Sequence, residues 1–493
     1  MADFFSSLLY IKNKPLLFNS VLFFILFFFF YSLYLFVSKK IKLRNILLLL
    51  FSLYFYYKIS GFAVIILIII SSSDYFLGLQ IFKTPKEWKK KLFVFISVFI
   101  NVGFLIFFKY INFLISSWFG IFIPEKEPIV LQILLPVGIS FFVFKSLTYI
   151  FDIQREMIEE PERNYINYVL FVSFFPNIMA GPISKARDLL PQFSKPLQIS
   201  NSMVSKGFLF ILAGFFQKIF ISDYLGANFI DRVFDAPQFF SGFENLMASY
   251  GAMLQIFFDF AGYTNIVIGL ALLMGFTIAP NFNQPFVSGN ITEFWRRWHI
   301  TLSQWLNEYL FYPLSYSFRK YRKVGIIIAI NITFFVSGLW HGANWTYVLW
   351  GMAHAIAMSW DVISQNFRDI LKKKIPSVLY KIISIILTFH FLALSVIFFK
   401  SANLDSAFQV YSKIFTSLNF SVAGQWVMLY YKPFAVFVFA FVLHYLPLGW
   451  FDRMINAYSN LHWSLKACLF FIGVLIVFQA YSSDTQPFIY LEF

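Results

Sequence analysis

The chain has 493 residues, 59% of them hydrophobic and 13% charged, with 71 phenylalanines and a mean hydropathy of +0.70. That much apolar surface excludes an ordinary soluble protein and calls for a bilayer. The net charge of +15 lies in short clusters between apolar runs, a positive-inside topology rather than a nucleic-acid surface. The lone Cys468 excludes a disulfide framework or a cysteine-built metal site.

Apolar length predicts a first span over about 16–37, uncleaved because no small-residue cleavage site follows "FFILFFFFYSLYLFV". It ends at "SKKIKLRN", whose four basic residues place that loop in the cytoplasm. Runs at about 45–57 and 62–82 make a hairpin returning to "KTPKEWKKK". Spans at about 92–118 and 131–151 follow, joined by the sparsely charged outer loop "GIFIPEKEP". "FVSFFPNIMAGPISKARDLLPQF" holds three prolines and a glycine, which rules out one clean helix. Broken backbone at membrane depth survives only inside protein or beside water. "LMASYGAMLQIFFDFAGYTNIVIGLALLMGF" is apolar except at Asp259 and Asn265, which need partners or a cavity.

Over 294–313 the pattern is that of one amphipathic helix on the cytoplasmic side. Trp295, Trp298, Leu302, Trp305, Tyr309 and Tyr312 repeat on one face, and Arg296, His299 and Ser303 on another. "RKYRK" at 319–323 marks the cytoplasm again. Spans at about 324–341, 345–362, 377–399, 432–447 and 466–481 bring the count near eleven. The expectation is one transmembrane domain over 1–493, both termini extracytoplasmic, with 486–493 as a C-terminal extracytoplasmic segment. No repeat halves of the transporter kind are visible.

Of the six histidines, His444 and His462 lie near membrane boundaries, where interfacial hydrogen bonding is expected. His354 and His390 read as structural histidines inside apolar spans. His341 stands in "FFVSGLWHGANW", where Ser337, Gly338 and Ala343 let backbones approach closely. An ionisable group there is either packed or functional. His299 is likewise either interfacial or functional. A buried neutral imidazole suits a general base. The spacing of His341 and His354 does not put both on one helical face, so no metal pair is expected. Motifs for a serine nucleophile, a phosphate loop, a dinucleotide fold or a zinc protease are missing. Acyl transfer from a thioester is the simplest chemistry for a lone buried base. Broken helices and buried polar groups also suit a flippase for lipid-linked sugars, or a membrane scaffold.

Five stretches carry a family likeness: "LPVGISFFVFKSLTYIFD" (135–152), "FPNIMAGPISKARDLLPQF" (175–193), "IFFDFAGYTNIVIGLALLMGFTIAPNFNQPF" (256–286), "FWRRWHITLSQWLNEYLFYPL" (294–314) and "SGLWHGANWTYVLWGMAHA" (337–355). Together they resemble the membrane-bound O-acyltransferase family, in the bacterial branch that serves alginate O-acetylation. The resemblance implies an all-α polytopic bundle, with re-entrant and amphipathic helices around a central funnel. It implies catalysis by His341 at the funnel's neck, with His299 as a second functional histidine nearer the cytoplasmic mouth. It further implies a cytoplasmic acyl thioester as donor, acetyl-CoA or an acylated carrier, and no permanently bound cofactor. The implied acceptor is an extracytoplasmic polysaccharide such as alginate, reached through an SGNH-type periplasmic transferase, with the chain in the bacterial inner membrane. Arg296 and Arg297 could hold the donor's phosphates in bidentate fashion, although topology explains the same charges. Trp298, Asp259 and Asn344 are further candidates for contacting substrate or donor. "QPFIYLEF" resembles the F-I-Y-F-Q-F ending of that branch, whose tyrosine hands on the acyl group. Here that tyrosine is Tyr490, while Leu491 and Glu492 depart from the pattern.

Overall fold

The computed structural model describes residues 8–12, 14–479 and 488. Every regular element among the described residues is helical, as expected for an all-α polytopic membrane protein. Six helical runs among them are long and apolar enough to cross a bilayer, or seven if the bent pair Phe420–Leu429 and Tyr431–Tyr445 forms one span. The expected count near eleven is therefore not reached by this measure. One reason is that the runs expected at 45–57 and 62–82 join into a single 43-residue stretch, Ile41–Lys83. Gly61 divides that stretch, because its φ of +59° takes the chain off the helical path. The chain forms two compact units: Met1–Ile211 with Ile266–Ala279, and Leu212–Asn265 with Pro280–Phe493.

In the first unit, α1 (Val21–Val37) is apolar on all sides, and the Ser20 hydroxyl caps it by accepting from the Phe23 amide at 3.2 Å. Phe24, Phe28, Phe29 and Phe36 point outward, where lipid is the natural solvent. α2 (Ile41–Ser60), α3 (Val64–Lys83), α4 (Glu87–Leu105), α5 (Ile139–Gln154) and α6 (Tyr165–Ser173) follow. The buried Asp74 carboxylate ties three of them together. It accepts from Ser97 Oγ at 2.6 Å, Asn101 Nδ2 at 2.8 Å and Ser146 Oγ at 2.6 Å.

Arg44 corrects the topology reading in detail. Counted among the four basic residues of a cytoplasmic loop, it lies fully buried within α2. Its guanidinium donates to the carbonyls of Phe193 at 2.6 Å and Lys195 at 3.0 Å, satisfying the C-terminal end of the helix Ala186–Ser194. The span expected at 131–151 is helical only from Ile139. Gly138 precedes it with φ +75°, and a Cβ there would lie 2.6 Å from the Ile178 carbonyl oxygen. The stretch predicted to be broken is so: a 3₁₀ turn at Phe175–Asn177, irregular chain, then the helix Ala186–Ser194. Asn177 serves this buried segment, accepting from Lys145 Nζ at 2.8 Å and donating to Ser184 Oγ at 2.9 Å.

The long helix α7 (Gly242–Leu273) carries Asp259 and Asn265. Both find partners in the second unit: Asp259 pairs with Lys218, and Asn265 Nδ2 donates to Gln217 Oε1 at 2.8 Å. The stretch 294–313 is not one helix. α8 (Ile291–Arg297) and α9 (Ile300–Leu306) are separated by His299, whose φ is +41°. Asn281 secures the break: its carbonyl accepts from the Ile300 amide at 2.9 Å, and its side chain from the Thr301 hydroxyl at 2.7 Å. The aromatic face packs inward over most of its length. Trp295, Trp298, Leu302 and Trp305 are all buried in the core of the protein. α10 (Arg322–His341), α11 (Trp345–Ile363), α12 (Gln365–Lys374) and α13 (Ser377–Lys400) complete the frame of the site.

Candidate active site

α10 ends at His341, Gly342 is extended, and Asn344 starts α11 by accepting from the Thr346 amide at 3.1 Å. The Asn344 amide also donates to the Ala402 carbonyl at 2.9 Å, so this candidate is a helix cap. The small residues around His341 act as expected, because the two helices meet backbone to backbone. A Cβ on Gly338 would lie 2.5 Å from the Tyr347 carbonyl oxygen, and one on Gly351 2.4 Å from that of Phe334. This tight hairpin buries His341 at its end, 2% exposed.

His341 lines a narrow pocket of about 40 Å³, walled by Trp298, Trp350, His354, Ser395 and Phe399 among others. Its wall is mostly apolar with a few polar groups, the character of a small-molecule site. The Trp350 ring stands between two imidazoles, its centre 4.8 Å from His341 and 4.8 Å from His354. Phe399 lies 5.3 Å from the His341 ring.

His299 is fully buried, with its ring 4.7 Å from Phe260 and 5.9 Å from Trp340. It does not line the pocket, but its neighbour Trp298 does. Burial pushes the His299 imidazole down to about 3 from its ordinary 6.5, so it is neutral at physiological pH. Below pH 6.5 the unfolded chain takes up a proton that the folded one refuses. The contribution is therefore intact above 6.5 and lost as pH falls towards 3. Thermal unfolding of the detergent-solubilised protein checks this. Between pH 6.5 and 5 a His299→Gln protein is expected to lose about 2 kcal/mol less stability than the wild type. Equal acid sensitivity of the two would mean that this imidazole is charged in the fold.

A second, polar hollow of about 750 Å³ takes in Arg296, Arg297, Arg368 and Lys372 with Glu293 and Asp361. Arg297 pairs with Glu293 at 3.0 Å and Arg368 with Asp361 at 3.1 Å, while Arg296 is exposed. α8 and its C-cap face both spaces: Phe294 and the capping Trp298 line the pocket, and Glu293, Arg296 and Arg297 the hollow.

Of the predicted residues, His341 and Trp298 thus share the pocket, and Arg296 and Arg297 share the hollow. Asp259 lines neither; it sits in a buried ion pair with Lys218, which also holds Asp223 at 2.8 Å. Tyr490 lies outside the described residues. Phe488, close to it in sequence, is buried with its ring centre 4.9 Å from Lys218 Nζ and 4.9 Å from the Tyr263 ring. Among the described residues no three His, Cys, Asp or Glu side chains gather as a metal site.

His354, expected to be a structural histidine, is buried with both ring nitrogens in hydrogen bonds, and it also lines the pocket with His341. The rule that it shares no helical face with His341 holds only within one helix, and Gly342–Asn344 separates two. The turn signal "HGAN" between the two histidines was the available clue.

The profile of the membrane-bound O-acyltransferase family matches residues 139–402. A peptidoglycan O-acetyltransferase of Helicobacter pylori is 33% identical over 362 residues, covering 68% of this chain and 67% of the relative. A probable alginate O-acetylase of Azotobacter vinelandii is 36% identical over 354 residues, 70% of this chain and 67% of the relative. A teichoic acid D-alanyltransferase of Bacillus subtilis is 31% identical over 266 residues, 52% of this chain and 66% of the relative.

Proposed function

This chain belongs to the membrane-bound O-acyltransferase family, and from that premise we propose that it carries an acetyl group from a cytoplasmic thioester across the bacterial inner membrane for O-acetylation of an extracytoplasmic polysaccharide. One observation carries the reading: a buried imidazole, His341, on the wall of an apolar pocket whose neighbouring helix turns arginines into a polar hollow. Asp361 of that hollow is seven residues beyond His354 on α11, roughly 10 Å along the axis. A donor such as acetyl-CoA can therefore set its phosphates against Arg296 and Arg297 while its acyl end reaches towards His341.

In the transfer, His341 takes the proton of an acceptor hydroxyl as that oxygen attacks the thioester carbonyl carbon. The new C–O bond forms, the C–S bond breaks, and the proton passes to the departing thiolate. His299, neutral and buried beside Trp340, acts as a positioning residue for this region. Tyr490 is the proposed first acceptor, with an SGNH-type extracytoplasmic transferase moving the acetyl group to the polymer. Similarity to a teichoic acid D-alanyltransferase supplies the second reading, a D-alanyl group delivered by a carrier.

Full-length protein in liposomes, given acetyl-labelled CoA, is expected to release CoA, and a deletion strain to lose O-acetyl groups from a surface polymer. A Tyr490→Phe protein is expected to insert normally and to fail in acceptor acetylation. Sugar transport without thioester turnover would overturn the proposal in favour of a flippase. Turnover only with a D-alanyl carrier would transfer it to the second reading.

A further inference from the structure

The pocket contains a hydrogen-bond chain whose direction can be read from its members. Trp295 of α8, His354 of α11 and Ser395 of α13 are all buried, and the last two line the pocket with His341. The Trp295 indole Nε1 lies 3.2 Å from His354 Nδ1. An indole N–H can only donate, so Nδ1 must accept. A protonated ring would set two N–H donors against each other here, so the imidazole is neutral and carries its proton on Nε2. That atom lies 3.2 Å from Ser395 Oγ and therefore donates to it. The serine hydroxyl in turn donates to the Leu392 carbonyl at 2.9 Å.

Three donors thus run in series, indole to imidazole to hydroxyl, and none needs to change protonation to keep its bond. The last is the only one whose hydrogen swings freely about a single bond. Its present acceptor is a carbonyl of its own helix, three residues back, an acceptor that can be given up.

We propose that Ser395 is a catalytic residue of the acyl transfer: its hydroxyl turns from Leu392 to the thioester carbonyl oxygen and stabilises the negative charge that grows there. His354 and Trp295 are positioning residues that hold and polarise this hydroxyl. The inference rests on the acyl-transfer reading with His341 as base, and adds the electrophilic partner that such a base requires. A tetrahedral intermediate in a largely apolar pocket needs a donor aimed at its oxygen. A chain of aligned hydrogen bonds strengthens its terminal donor. No covalent step is added, because the serine keeps its proton throughout.

The test is steady-state turnover of acetyl-CoA by the full-length protein in liposomes, alongside its melting temperature. Ser395→Ala is expected to lower kcat by about 10²-fold with KM for acetyl-CoA unchanged within about threefold. Ser395→Thr, which keeps the hydroxyl, is expected to recover most of the rate. His354→Phe should lower kcat by about tenfold through loss of the positioning bond. If Ser395→Ala does not accumulate as folded protein, Ser395→Cys replaces it, with an intermediate rate expected from its weaker donor. Wild-type kcat in the alanine or cysteine protein would overturn the proposal, as would a loss that threonine does not repair. His341→Ala, run in parallel, separates the two readings. If His341→Ala is inactive while Ser395→Ala is not, only the serine proposal fails; if His341→Ala turns over normally, the acyl-transfer reading itself fails.

Discussion

Replacing His341 with alanine is expected to slow CoA release from acetyl-CoA by about 10²- to 10⁴-fold, the usual contribution of a positioned acid–base group. The protein should still insert and purify, because the α10–α11 hairpin is set by backbone contacts at Gly338 and Gly351 rather than by the imidazole. The substitution does empty space among Trp340, Trp350 and Phe399, whose rings lie 5.1, 4.8 and 5.3 Å from the imidazole. A packing role and a chemical role must therefore be separated. His341→Phe fills the space without a titratable nitrogen, and His341→Gln keeps polar atoms without a base. If the imidazole transfers protons, both are as inactive as the alanine protein; recovery of turnover in either would reduce His341 to packing.

The largest expected loss of stability lies at Lys218. Its ammonium is 1% exposed and serves two carboxylates, Asp259 at 1% and Asp223 at 13% exposure. Lys218→Ala strands both, and breaking a buried pair costs about 3–5 kcal/mol. The Phe488 ring would also lose the cation over which it sits. Asp259→Asn keeps Lys218 paired with Asp223 and should cost only about 1–2 kcal/mol. The temperature at which the solubilised protein ceases to be monodisperse ranks the three proteins. A Lys218→Ala protein melting with the wild type would refute a structural role for this cluster.

The sequence made His341 conspicuous for a physical reason: an ionisable ring among small residues in an apolar run has few bland explanations. His354 offered no such signal, because its meaning comes from Trp295 and Ser395, 59 and 41 residues away on other helices. The aromatic period over 294–313 picked out buried residues from Trp295 to Tyr309, but Tyr312 is exposed, and His299 and Ser303 of the other face are buried as well. The period could not show the break at His299, since a backbone turn into positive φ leaves side-chain spacing nearly intact. Arg44 was misplaced because charge counting treats every arginine as solvated, whereas this one finds carbonyls at a helix end. The break in the proline-rich stretch was legible around Pro176 and Pro182, whereas Pro191 lies inside the helix Ala186–Ser194.

The contact of α10 and α11 through Gly338 and Gly351 has a consequence for how such an enzyme can diversify. Main-chain atoms fix the separation of these helices, so the distance between the two imidazoles is independent of side-chain repacking elsewhere. Leu392, Val396 and Phe399 line the same pocket from α13, a different helix. Exchanges there can reshape the space for the acyl group while the machinery on the hairpin stays in register. The shape of the acyl space is thus adjustable through Leu392, Val396 and Phe399 of α13, apart from Ser395 on the same helix, while the register of the hairpin is guarded by two residues that have no side chain.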